Sequence, residues 1–345
     1  MRRYRSLVRR IVVPLAVSVL VPSAADASAP AETSASAVAV EAVTFQVTNP
    51  LVSGETYAVR GFLYRPGRAP VCSSSVLLLL HGTAGGAWGW DFPVRPEKYS
   101  VARALAAAGY PAVAIDELGY ASSDHPNGHT LTIPSYAAIT AQIIEQLRAG
   151  SYQAAAPVPF DKVGLAGHSA GAEMAELTAG TSGNIDLLMA LGYTHFISQE
   201  VGQVFIAEEQ ARALQRDYVY FWGTRERVHR FHHNPDYIEA DVLAKVDELT
   251  TLTPSGLVLS IGNQPSRHVM SSIRVPVLLV LSEKDTIFPV EHGAKELALF
   301  AGASDKTLQV VPLAGHSFQL EPNAPESLAH IVGWLRQRAA ALPSC

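Results

Sequence analysis

A doubly wound, mostly parallel α/β sheet carrying an inserted helical lid is the fold class the sequence predicts, and three observations predict it. Short apolar runs alternate with helix-length segments along most of the chain. The runs at 76–80, 111–115 and 277–281 are continuously apolar, the pattern of strands buried on both faces. The alternation is interrupted once, over 196–272, where helix-like pieces appear without a buried-strand run. Strands that alternate with helices imply parallel neighbours joined by right-handed crossovers, with helices on both faces.

Element by element, residues 42–47 and 56–64 alternate apolar and polar and read as two early strands. The buried strand at 76–80 ends in His81-Gly82-Thr83-Ala84-Gly85-Gly86. A helix over 97–108 stops at Gly109, the strand at 111–115 follows, and a helix over 133–149 stops at Gly150. Residues 163–166 form a strand leading into Gly167-His168-Ser169-Ala170-Gly171, and a helix begins at Ala172. A strand over 185–191 precedes the interruption, which holds helical pieces at 207–216 and 237–249. Beyond it come a strand at 277–281, a helix at 290–300, a strand at 307–311 and a helix at 325–340. The expected organisation is a core of 40–195 and 273–345 with a lid insertion over 196–272.

The ends of the chain read differently. Arg2, Arg3, Arg5, Arg9 and Arg10 precede an apolar stretch over 11–22 and the small-residue run Ala24-Ala25-Asp26-Ala27-Ser28-Ala29. A basic start, a short apolar core and an A-x-A site make a secretory signal peptide over 1–29, cleaved after Ala27 or Ala29. The apolar stretch is short for a bilayer span. Residues 30–39, rich in Ala, Ser, Pro and Thr, read as a disordered mature N-terminus. Secretion to the extracellular side follows as the expected localisation, with no stable membrane span after processing. The chain has 345 residues, enough for one large α/β domain, and a net charge of −5 that argues against nucleic acid as a partner. Its two cysteines, Cys72 and Cys345, fall at the start of a strand and after a final helix. Those positions share the face opposite the strand C-termini, and the choice between a disulfide and two thiols stays open.

Chemistry concentrates in Gly167-His168-Ser169-Ala170-Gly171. A G-x-S-x-G sequence between a strand and a helix is a nucleophile elbow, which presents its serine at the apex of a strained turn. A serine nucleophile needs a base, and the base needs an orienting carboxylate. In open α/β sheets such groups lie at strand C-termini. Asp285 follows the strand at 277–281, and His316, in Gly315-His316-Ser317, follows the strand at 307–311. The chain order is Ser169, Asp285, His316.

On His81-Gly82-Thr83, the G-H-S-A-G elbow, Asp285 and Gly315-His316, the chain over about residues 40–340 resembles the α/β-hydrolase superfamily, in particular secreted bacterial serine esterases and lipases. The resemblance implies that Ser169 is the nucleophile and that His316 takes its proton and returns it to the leaving group. Asp285 would fix the His316 tautomer, and the N–H groups of Thr83 and Ala170 would form the oxyanion hole. His81-Gly82-Thr83-Ala84 departs from the H-G-G-G of one lipase group. Trp88 and Trp90, just after the oxyanion turn, are candidates for lining the substrate pocket or for plain packing.

Other residues compete for these roles. His81 would shape the oxyanion turn, and His168 lies beside the nucleophile on the elbow. Glu283 is the alternative orienter. Asp116 and Glu117 end another strand and read as structural, and Glu173 and Glu176 are assigned no chemistry. His229, His232 and His233 with Asp236 and Glu239 match no zinc spacing and read as solvated or pocket-lining. No metal is expected, and the absence of G-x-G-x-x-G and P-loop sequences implies no nucleotide cofactor. The expected reaction is hydrolysis of a small-molecule or lipid-like carboxylic ester through an acyl-serine intermediate. A peptidase, amidase or lactonase on the same fold is the alternative. A non-catalytic binding protein that kept the fold is the alternative of another class.

Overall fold

The computed structural model describes residues 38–67 and 74–345. The expected signal peptide over 1–29, residues 30–37 of the expected mature N-terminus, and Cys72 lie outside the described residues. Among those described, no helix is long and apolar enough to cross a membrane.

An eight-stranded sheet organises the chain, in the order β1-β2-β4-β3-β5-β6-β9-β10. Its strands are β1 (Val38–Thr48), β2 (Thr56–Pro66), β3 (Ser75–Leu80), β4 (Ala112–Asp116), β5 (Lys162–His168), β6 (Leu187–Leu191), β9 (Val277–Ser282) and β10 (Lys306–Val311). β1 runs antiparallel to β2, and β2 antiparallel to β4. Every remaining pair is parallel. β1 begins at Val38, inside the stretch read as disordered, because its first residues pair in register with Arg65 and Pro66 of β2. Every residue of β3 is buried. Leu77 and Leu79 enter the core on one face of the sheet, while Val76, Leu78 and Leu80 enter the core on the other. That two-sided burial is the physical reason the run carries no polar alternation.

The helices of the first half are α1 (Pro96–Tyr99), α2 (Val101–Ala107), α3 (Ile133–Ala149) and α4 (Ala170–Ser182). The single helix expected over 97–108 is two. Ser100 takes an extended backbone, and its hydroxyl accepts from the Arg103 N–H at 3.1 Å, ending one helix and capping the next. α3 starts with a reciprocal capping pair between Thr132 and Ser135 and ends at Gly150, whose φ of 65° is left-handed.

Between β6 and β9 the chain forms a helical insertion. It comprises α5 (Gln199–Val204), a π-helical turn (Phe205–Glu209), α6 (Gln210–Ala213), α7 (Arg225–His232), α8 (Ala240–Leu249) and α9 (Ser255–Ile261). Two short strands, β7 (Tyr218–Val219) and β8 (Thr253–Pro254), pair antiparallel within it. They are too short to leave an apolar-run signal in the sequence. Phe205, Phe221, Trp222 and Phe231 bury against Leu279, Leu281 and Phe288 of the core, which seats the insertion over the strand ends. Over 290–300 a 3₁₀ turn precedes α10 (Gly293–Leu299), and α11 (Ala324–Arg336) closes the fold.

Cys345 is disulfide-bonded, which closes the choice that the sequence left open. Its backbone N–H donates to Gly109 O at 2.7 Å, and Ser75 bonds to Pro343 O, so the C-terminus docks at the start of β3. That is the end of the sheet opposite the strand C-termini.

Candidate active site

The elbow forms where β5 gives way to α4. Ser169 sits at the turn with φ 56° and ψ −124°, a left-handed backbone for a non-glycine residue. Such strain persists only where its surroundings impose it. Here the two glycines permit close approach. A Cβ on Gly167 would meet Gly171 O at 2.0 Å, and a Cβ on Gly171 would meet the carbonyls of Leu80 and His81 at 2.5 Å. The Ser169 N–H donates to Leu191 O at 2.9 Å, which ties the turn to β6.

The carboxylate and histidine arrive from the last two strands. His316 Nδ1 lies 2.8 Å from Asp285 Oδ2, and both side chains are fully buried. Asp285 Oδ1 accepts the backbone N–H groups of Ile287 at 2.8 Å and Phe288 at 3.1 Å. Those two bonds aim Oδ2 at the imidazole. With Nδ1–H donated to Asp285, the neutral ring keeps its lone pair on Nε2. His316 Nε2 has no hydrogen-bonded partner among the described residues, and it shares a narrow cleft of about 50 Å³ with Ser169. The ring can therefore accept a proton from a nucleophile placed in that cleft.

Across from this pair lies the turn after β3. Neither the Thr83 N–H nor the Ala170 N–H has an acceptor among the described residues. Two unpaired N–H groups beside a nucleophile are donors available to a developing oxyanion. His81 Nδ1 donates to Gly82 O at 2.8 Å, and its Nε2 accepts from the Glu117 N–H at 3.1 Å, so the ring ties this turn to the end of β4. Asp116 is structural: its Oδ1 accepts the Ala87 N–H at 2.7 Å. Trp88 and Trp90 both line the cleft, Trp90 from a buried position.

Several predicted competitors fall elsewhere. Glu283 accepts from the Leu313 N–H and pairs with Lys284, away from the imidazole. His229 Nε2 pairs with Asp247 at 2.6 Å, and Glu239 pairs with Arg95 and Lys98. His168 Nε2 donates to His316 O at 3.0 Å and so buttresses the loop that carries His316. Burial and the neighbouring His316 push the His168 imidazole down to about 3, which keeps it neutral.

Other contributors left no motif in the sequence. Thr253 Oγ1 accepts the Ala84 N–H at 2.9 Å, the Thr251 N–H donates to Ala84 O at 3.1 Å, and the Thr251 hydroxyl donates to Gly85 O at 2.6 Å. The end of the insertion thus clamps the oxyanion turn, with Ala84 held at φ 59°. His232 lines the space on both sides of Ser169, and its Nε2 accepts from Trp222 Nε1 at 2.9 Å. On the insertion side of Ser169 an apolar chamber of about 320 Å³ opens, walled by Tyr193, Phe205, Phe221, Trp222, Ile287 and Phe288.

Sheet order, elbow and the paired histidine and carboxylate at later strand ends define the α/β-hydrolase class of fold. A family model described as the alpha/beta hydrolase family matches residues 77–330, and the chain belongs to that family. Solved structures agree on the fold. An esterase from Thermogutta terrifontis superposes with a TM-score of 0.61 at 17% identity, over 85% of this chain and 98% of its own. A monoacylglycerol lipase from Paleococcus ferrophilus gives 0.58 at 21% identity, over 76% and 95%. An esterase from Exiguobacterium antarcticum gives 0.60 at 17% identity, over 81% and 96%. No curated protein matches the sequence.

Proposed function

We propose that this chain is an exported serine hydrolase that cleaves a carboxylic ester through an acyl-Ser169 intermediate. One observation carries the reading: a strained serine and an imidazole lone pair fixed by a buried carboxylate face one cleft, beside the Thr83 and Ala170 N–H groups, which have no acceptor among the described residues. In the first half-reaction Ser169 Oγ attacks the ester carbonyl carbon and its proton passes to His316 Nε2. The oxyanion is held by the Thr83 and Ala170 N–H groups. His316 then protonates the departing alkoxide. In the second half-reaction His316 deprotonates water, which attacks the acyl carbon, and the same proton passes from His316 Nε2 to Ser169 Oγ as the acyl–oxygen bond breaks and the acid leaves.

The apolar chamber supports a substrate with one compact apolar arm, and the narrower cleft supports a smaller arm on the other side of the scissile bond. The basic start and apolar core of residues 1–29, together with the disulfide at Cys345, support export to an oxidising compartment.

A serine-directed fluorophosphonate probe tests the mechanism. Labelling is expected on Ser169 and absent in Ser169→Ala, whose turnover should fall about 10⁴-fold or more with binding retained. A folded wild-type protein that takes no label, or a Ser169→Ala variant with near-normal turnover, overturns the reading in favour of a binding protein. A panel of p-nitrophenyl esters of rising chain length, run beside amide and lactone substrates, then separates ester hydrolysis from its amidase and lactonase alternatives.

A further inference from the structure

One and two helical turns beyond Ser169, α4 carries Glu173 and Glu176, to which the sequence reading assigned no chemistry. Glu176 meets His195, which follows β6, and Ser266 in the 3₁₀ turn Pro265–His268 of the insertion, while Glu173 faces Tyr193 and the Ser266 backbone, and Glu296 of α10 lies against the same cluster. Glu173, Glu176, Glu296 and Ser266 are fully buried and His195 is 4% exposed. Three carboxyl groups therefore share one dry interior, and none forms an ion pair with a lysine or arginine among the described residues. A single imidazole does not balance three carboxylates, and uncompensated buried charge is strongly unfavourable.

The hydrogen bonds around His195 are directional. Its backbone N–H and its Nδ1 both reach Glu296, each at 2.8 Å. The proton on Nδ1 leaves Nε2 as a lone pair. Nε2 lies 2.8 Å from Ser266 Oγ and 3.9 Å from Glu176 Oε2, while Ser266 Oγ lies 3.1 Å from Glu176 Oε2. One ligand atom each from Glu176, His195 and Glu296 falls within 4.8 Å of the other two. Glu176 Oε1 is buried with no hydrogen-bonded partner among the described residues, whereas Glu173 faces the Tyr193 hydroxyl and the Ser266 backbone. The structure thus holds an imidazole lone pair turned toward the Ser266 hydroxyl, an unsatisfied Glu176 oxygen in the same cluster, and a carboxylate orienting the imidazole from behind. An imidazole whose second nitrogen donates to a carboxylate is the arrangement that metal-bound histidines adopt.

We propose that Glu176 and His195 Nε2 hold a divalent transition-series cation in this buried cluster, with Glu296 orienting His195. Mixed imidazole and carboxylate donors suit Zn²⁺ or Mn²⁺, whereas Ca²⁺ and Mg²⁺ favour all-oxygen shells. Binding releases the carboxyl protons that otherwise neutralise the site. The cation joins the nucleophile helix, the end of β6 and, through Glu296, α10. Ser266 brings the end of the insertion against the same point. The site is independent of the hydrolytic reading.

The full chain, stripped with chelator, incubated with Zn²⁺ or Mn²⁺ and desalted, tests this by elemental analysis and thermal unfolding. About one equivalent should stay bound, and at about 100-fold excess over Kd the midpoint should rise by on the order of 5 °C. His229→Gln, which alters the half-buried His229–Asp247 pair in the insertion, away from this cluster, should behave as wild type. Glu176→Gln should lose both the bound metal and the shift. A wild-type chain that retains neither metal and unfolds at an unchanged midpoint overturns the site, and that result stands even if Glu176→Gln fails to fold. Full retention by a folded Glu176→Gln overturns it as well.

Discussion

At the scale of single residues, Asp285 illustrates how orientation becomes chemistry. Its Oδ1 is held by two backbone N–H groups, so its Oδ2 has one geometry toward His316 Nδ1. In Asp285→Asn the side-chain carbonyl stays on the Ile287 and Phe288 N–H groups, and the amide N–H₂ then faces Nδ1. The imidazole must move its proton to Nε2, where it no longer accepts one from Ser169. Turnover should fall about 10⁴-fold with little change in thermal midpoint, read by steady-state kinetics beside a melting curve. A loss below about 10-fold would remove Asp285 from the reaction. Ser169, Asp285 and His316 were legible in the sequence because each follows an apolar run at a point where a sheet of this kind presents its strand ends. His232 and His233, read as solvated or pocket-lining, both line the cleft, but nothing in a His-His pair shows how either ring is held. For His232 that hold is the Trp222 indole N–H, which reaches its Nε2.

Elements carry the next level of control. The oxyanion turn belongs to the core, yet its conformation is held by Thr251 and Thr253 at the end of the helical insertion. Thr253→Val keeps the shape of the side chain and removes the acceptor for the Ala84 N–H. The Thr83 N–H then loses its fixed aim. Misplacing one donor by a fraction of an ångström is expected to lower kcat about 10- to 100-fold while KM stays nearly constant. Pre-steady-state and steady-state rates on one ester separate these effects, and a change confined to KM would show that the clamp acts on substrate binding instead. The strands of the parallel sheet were readable because two-sided burial forces continuous apolar runs. The breaks within 97–108 and 290–300 were not, because a serine cap and a 3₁₀ turn leave the apolar periodicity intact. Thr253 was invisible for a related reason: β7 and β8 are two residues each, and their partner in space is a turn far away in sequence.

Taken as a whole molecule, the site is a cluster of buried imidazoles. His168 and His232 lie with ring centroids 4.8 and 5.4 Å from His316, and His233 lies 6.5 Å from His232. Burial lowers all three neighbours of His316, and positive charge on any one of them disfavours charge on the others. His168 and His233 are both held at about 3. In the unfolded chain a histidine titrates near 6.5. Between these limits the unfolded state binds protons that the folded state refuses, so folding stability is fully present above about 6.5 and falls as pH drops toward 3. Glu321 works in the opposite sense. Burial raises its carboxyl to about 7, and its contribution is lost as pH rises from the usual carboxylate range through that value. Denaturant unfolding at a series of pH values separates the two. His233→Gln removes one refused proton without touching Ser169, Asp285 or His316. Below pH 6.5 its stability should fall less steeply than that of wild type, by about one proton, or about 1.4 kcal/mol per pH unit. Parallel slopes for the two proteins would mean that His233 is protonated in the folded state, and that the imidazole cluster carries charge at the centre of the molecule.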